Sequence, residues 1–96
     1  MNYRPIRWSA EAVGHLRELV DGIARSSPTR AKEFARKILK TVARLSAFPL
    51  SGRNVPELVD QDPQPREVIV GQYRVLYRTQ DRAVEIVMII HARRLI

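Results

Sequence analysis

From Ser9 onward apolar residues return at three- and four-residue steps. Val13, Leu16, Val20 and Ile23, joined by Ala12, Leu19 and Ala24, fall on one helical face. Ser9 offers an N-cap and Glu11 sits in the first turn against the helix dipole, so the pattern predicts a helix from about Ala10 to Ala24 or Arg25. Ser26-Ser27-Pro28 then signals a second start: Ser27 can cap free N–H groups and Pro28 stands where a missing N–H costs nothing. Ala31, Phe34, Ala35, Ile38, Leu39, Val42 and Leu45 form the apolar stripe of this second helix. The connection is so short that the two helices must lie antiparallel as a hairpin.

The period changes on either side of this hairpin. Tyr3-Arg4-Pro5-Ile6-Arg7-Trp8 alternates in polarity and contains a proline, which fits a short edge strand. Between Ser46 and Pro65 lie Pro49, Pro56, Pro63, Pro65 and Gly52, the marks of a loop crossing the surface. Beyond it, Arg66-Glu67-Val68-Ile69-Val70 and Tyr73-Arg74-Val75-Leu76-Tyr77-Arg78 flank Gly71-Gln72, a two-residue hairpin with glycine where a type II′ turn needs positive φ. Thr79 to Arg82 reads as a second turn, and Ala83 to His91 as a buried central strand rich in β-branched residues.

A two-residue loop pairs Val70 with Tyr73, so Val68, Val70, Tyr73, Val75 and Tyr77 share one side of the sheet. Glu67, Ile69, Arg74, Leu76 and Arg78 share the other, a mixed and more accessible one. The expected architecture is α+β in the order β-α-α-β-β-β. An N-terminal edge strand and an antiparallel helical hairpin accompany a small antiparallel sheet, with the hairpin packed on one sheet face.

Composition narrows the function. Ninety-six residues make one domain, 1–96. No cysteine is present, which excludes disulfides, thiolate metal sites and thiol nucleophiles. The two histidines, His15 and His91, lack partners at ligand spacing, and no Gly-rich phosphate loop occurs, so neither metal nor cofactor is implied. No apolar run is long enough for a membrane helix and no export signal is visible; the expected location is the cytosol. Seventeen Lys and Arg oppose ten Asp and Glu, a net +7 that favours a polyanionic partner. Residues 28–47 hold most of the excess, with six basic residues against one acidic. Helix 2 carries Arg30, Lys32, Arg36, Lys37, Lys40 and Arg44 opposite its apolar stripe.

The order of these elements, the closing Leu45-Ser46-Ala47-Phe48-Pro49, the loop Ser51-Gly52-Arg53-Asn54-Val55-Pro56-Glu57-Leu58, the hairpin Arg66 to Arg78 and the ending Ile89-Ile90-His91-Ala92-Arg93-Arg94 together resemble the RelE/ParE superfamily of bacterial type II toxins. The resemblance spans nearly the whole chain. It implies a small growth-inhibiting toxin, of the kind that stabilises plasmids, held silent by a cognate antitoxin that is acidic and partly disordered when free. In one branch, RelE-like, the toxin cleaves mRNA on the ribosome as an mRNA interferase; in the other, ParE-like, it inhibits DNA gyrase.

Metal-free RNA cleavage needs a base for the 2′-OH proton, an acid for the leaving oxygen and cations against phosphate charge. By the resemblance, Arg74 matches an arginine the RNA-cleaving members use, Glu57 in Pro56-Glu57-Leu58 resembles a carboxylate base of one subgroup, and His91 lies where further catalytic groups stand. Arg66, Arg78, Arg93 and Arg94 are candidates for contact with nucleic acid or another target. Lys37, Lys40 and Arg44 are candidates for contact with the antitoxin. Two departures favour the ParE-like branch. The paired lysines expected on the strand before Tyr73-Arg74 are absent, with Val68 standing where one would be, and the C-terminal tyrosine of nuclease members has no counterpart before Ile96. The long helical hairpin points the same way. A third reading is a non-catalytic nucleic-acid-binding module, although no helix-turn-helix spacing or zinc pattern accompanies the charge. Each candidate also has a plain structural reading. Arg74 and Arg78 can pair across the sheet with Glu67 or Glu85, Glu57 can be a solvated loop carboxylate, and Tyr73 and Tyr77 can belong to the core.

Overall fold

The computed structural model describes residues 3–94. Strand β1 (Ile6–Trp8) leads into helices α1 (Ala10–Ala24) and α2 (Pro28–Arg44), followed by β2 (Arg53–Asn54), β3 (Arg66–Val70), β4 (Tyr73–Gln80) and β5 (Ala83–His91). The sheet order is β1-β5-β4-β3-β2. Ser9 and Ser27 cap the helices as their positions predict, accepting from the N–H groups of Ala12 at 3.0 Å and Arg30 at 3.2 Å. Leu95 and Ile96, the end that lacks the tyrosine of nuclease members, lie outside the described residues.

The α+β class and element order hold, with differences that local pattern does not encode. The sheet is mixed, because β1 joins β5 in parallel register, Ile6 opposite Val84 and Trp8 opposite Ile86. A parallel pair needs a long crossover, and here nearly the whole chain supplies it. The surface loop contributes the two-residue β2, antiparallel to β3, and a 3-10 turn at Pro56–Leu58. The second turn is tighter than expected: β4 runs on to Gln80, and Asp81 and Arg82, at φ 53° and 61°, form a two-residue hairpin turn. Gly71 has φ 59°, as the first hairpin requires.

One core lies between the helices and the sheet. Ala12, Ile38, Val42 and Leu45 meet Val70, Val75, Tyr77, Val84, Ile86 and Ile89, with Leu16, Leu19, Phe34, Val68 and Tyr73 packed around them. The assigned hairpin faces are therefore correct. Val13 is 38% exposed, because the buried stripe of α1 runs through Ala12, Leu16 and Leu19 and leaves Val13 on its flank. A bulge on β5 exchanges its faces: Leu76 faces Met88 whereas Tyr77 faces Ile86, so both Ile86 and Ile89 reach the helical side. The start of α1 is fastened at this bulge. Ser9 donates from N to Ile86 O at 3.0 Å and from Oγ to the unpaired Val87 O at 2.8 Å, and Ile89 N–H donates to His15 Nδ1 at 3.2 Å. His15 thus satisfies backbone that β1 is too short to reach.

Candidate functional site

The sheet face away from the helices was expected to be accessible. It is covered. The chain from Gly52 to Pro65 folds over it, and Val55, Leu76 and Ile90 form a second small core with Leu58 and Met88. Where this segment begins, at the sheet edge, Gly52 makes a close approach to Tyr77, which comes from the helical side. Its N–H donates to the Tyr77 hydroxyl at 2.9 Å, and a Cβ there would stand 2.6 Å from that hydroxyl and 2.7 Å from Glu67 O. Arg66 reaches over the same turn, its Nη1 donating to Gly52 O at 2.8 Å. Burial of the Tyr77 phenol raises its pKa above the ordinary tyrosine value, against the lowering effect of the Gly52 N–H.

Beneath the loop lies a chain of charge. Glu67, with its side chain fully buried, accepts from Arg53 Nε and from Arg74 Nε, each at 2.6 Å. Arg74 is itself 4% exposed, and it grips Glu57 in a two-pronged pair at 2.8 Å for each contact. Its Nη1 also donates to Arg94 O at 2.9 Å, which ties the segment after β5 to the cluster. Four of the five guanidinium N–H groups are therefore occupied by Glu57, Glu67 and Arg94. Glu57's hydrogen bonds hold the guanidinium even more firmly protonated than an ordinary arginine; burial opposes this and Glu67 adds to it.

The structure brings Arg74 and Glu57 together and keeps His91 apart. The β5 bulge turns His91 to the helical side, edge-on to Tyr73 with ring centroids 5.6 Å apart, and its Nδ1 accepts from Arg93 N–H at 3.1 Å. Arg78 pairs with Glu85 at 2.8 Å, as the plain reading of the strand allowed. Arg93 and Arg94 are exposed at the end of the sheet. Arg53 and the Gly52–Tyr77 contact escaped the sequence reading. Arg53 carries no periodic signal, whereas Glu67 and Arg74, charged residues on one face of two apolar strands, do announce a cross-strand pair, though not its burial.

A groove opens at the same end of the sheet as Arg93 and Arg94 but on its helical side, between α2 and the β3–β4 turn, where Tyr73 pairs with His91. Ile23, Phe34, Val70 and Tyr73 line its floor and Arg30, Glu33 and Lys37 its rim, with a volume of about 500 Å³. Phe34 and Tyr73 meet edge-on there, centroids 5.2 Å apart. Lys37 thus borders the groove. Lys40 and Arg44, by helical rotation, belong to the outward side of α2.

A helical hairpin on one face of a mixed sheet is a fold that occurs in solved toxin–antitoxin structures. A chain from the chromosomal ParDE system of P. aeruginosa is similar with a TM-score of 0.75, covering 97% of this chain and 100% of that one at 18% identity. A chain from the RelBE2 toxin–antitoxin complex of Mycobacterium tuberculosis gives a TM-score of 0.59, covering 95% and 93% at 25% identity. No curated protein sequence matches the chain. The family model of the ParE toxin of the type II toxin–antitoxin system, parDE, matches residues 6–96, and the chain belongs to that family. It is a toxin of the ParE-like kind, a reading the family match sets above the RelE-like one.

Proposed function

We propose that this toxin arrests growth by binding DNA gyrase and not by cutting mRNA. The observation that carries the reading is the state of Arg74. The arginine that RNA-cleaving members of the superfamily use is here buried under the Gly52–Pro65 loop, its donors committed to Glu57, Glu67 and the Arg94 carbonyl. A guanidinium so engaged has little left to offer a phosphate, and His91 on the opposite side cannot complete an acid–base pair with Glu57. Arg74 and Glu57 serve as a clamp that presents the end of the sheet. Arg93 and Arg94, exposed there, are the target contacts we favour over Arg66 and Arg78, which are engaged locally.

The antitoxin docks, in this reading, over the helical hairpin at the Phe34–Tyr73 groove. An amphipathic acidic segment would place apolar anchors on the floor and carboxylates against Arg30 and Lys37. The decisive assay gives the purified protein to gyrase with relaxed plasmid, and in parallel to a translating ribosome system. Supercoiling is expected to fail while mRNA stays intact. Translation-dependent cuts with normal supercoiling would overturn the proposal.

A further inference from the structure

The outward side of α2 carries a ridge of charge that neither the groove nor the Arg74 clamp uses. Lys32, Arg36, Lys40 and Arg44 follow one another at four-residue steps and all four are exposed. At about 1.5 Å per residue, each step is about 6 Å and the ridge about 18 Å long. At 100° per residue it lies opposite the buried Ala31, Ile38 and Val42. None of the four has a carboxylate partner among the described residues, where the ion pairs join Arg53, Arg74 and Arg78 to Glu57, Glu67 and Glu85. Glu33, the one acid of the helix, stands at the groove.

This placement works against the helix that carries it. Like charges four residues apart repel, and the first turn holds no acid to meet the positive end of the dipole. The ridge also lacks what a folding peptide needs. Along its length its large apolar neighbour is Leu39, with Phe48 one turn beyond Arg44, whereas Phe34 and Tyr73, the anchors of the groove, lie on another side. A partner held by evenly spaced charge without apolar anchors is a phosphodiester backbone. No aromatic side chain stands between the four charges to stack successive unpaired bases, and Phe48 lies only past the end of the ridge, so a duplex fits better than a single strand.

We infer that the α2 ridge binds the phosphate backbone of duplex DNA without reading its sequence. The ridge is separate from the clamp, so this surface stands or falls apart from the proposed gyrase target. The test is fluorescence anisotropy of the full chain with a labelled duplex of arbitrary sequence. With about four phosphates neutralised, affinity should fall about 150-fold between about 25 and about 100 mM salt. In Arg36→Gln/Lys40→Gln/Arg44→Gln the fall should shrink to about threefold, with about one contact left. Arg7→Gln/Arg17→Gln/Arg25→Gln removes the same net charge from exposed positions elsewhere and should keep the steep dependence. Circular dichroism should show the ridge variant folded and no less heat-stable than the parent, since repulsion is relieved. Equal losses in both variants, or none in either, would overturn the inference. So would a ridge variant that holds the duplex normally but loses a polyglutamate peptide, which would assign the ridge to an acidic protein.

Discussion

Without Arg74, the buried Glu67 carboxylate would keep Arg53 as its one ion-pair partner, and that arginine is largely exposed. Breaking a buried pair from one side costs about 3–5 kcal/mol, so Arg74→Met should lower the urea-unfolding free energy by that order. Adding Glu67→Leu to it should recover much of the loss, because the stranded charge is then gone. A variant pair without such recovery would mean that Glu67 is not the group being stabilised. Tyr77 makes a second residue-scale prediction. Its folded pKa is raised by burial, so its contribution is complete below the unfolded value and is lost as pH rises above about 10, through the folded value. Tyr77→Phe should flatten that alkaline decline in stability. It should also cost about 1–3 kcal/mol at neutral pH, since the Gly52 N–H loses its acceptor. Both residues were half legible in the sequence. The hairpin register placed Arg74 on a face with Glu67 and Tyr77 on the opposite one, but alternation cannot say that a remote loop seals the outer face and turns an accessible arginine into a buried one.

At the scale of elements, what was legible is what local physics specifies: two capped helices, a glycine hairpin and a β-branched final strand. What escaped depends on chain segments far apart. The parallel seat of β1 beside β5, the bulge that returns Ile89 and His91 to the helical side, and the two-residue β2 all take their form from tertiary contacts. The loop that carries β2 hangs on Gly52. A Cβ at that position would collide with the Tyr77 hydroxyl and with backbone at Glu67, and backbone cannot rotate away. Gly52→Ala should therefore destabilise the fold by about 1–3 kcal/mol, the usual effect of overpacking. Hydrogen exchange should report faster opening of Arg53 and Asn54 than of the helices. Equal protection throughout would show that the loop is not a separate unit.

Across the whole molecule, charge and apolar surface are divided between one end of the sheet, where the groove lies on the helical side near Arg93 and Arg94, and the outside of α2. The groove at Phe34 and Tyr73 pairs an apolar floor with Arg30 and Lys37, while Arg93 and Arg94 stand beyond the Arg74 clamp. If the antitoxin occupies the groove, its binding should respond to floor and rim in different ways. Arg30→Glu/Lys37→Glu reverses the charge that steers an acidic segment, and the association rate at low salt should fall on the order of tenfold. Phe34→Ala removes an anchor that forms only after encounter, so it should act on dissociation and leave association nearly unchanged. Lys40→Glu/Arg44→Glu, turned away from the groove, should slow association less than the rim pair does. Stopped-flow mixing with the antitoxin across a salt series separates these effects. An association rate indifferent to Arg30 and Lys37 but sensitive to Lys40 and Arg44 would move the antitoxin from the groove to the outward ridge, and would take from the ridge its claim on DNA.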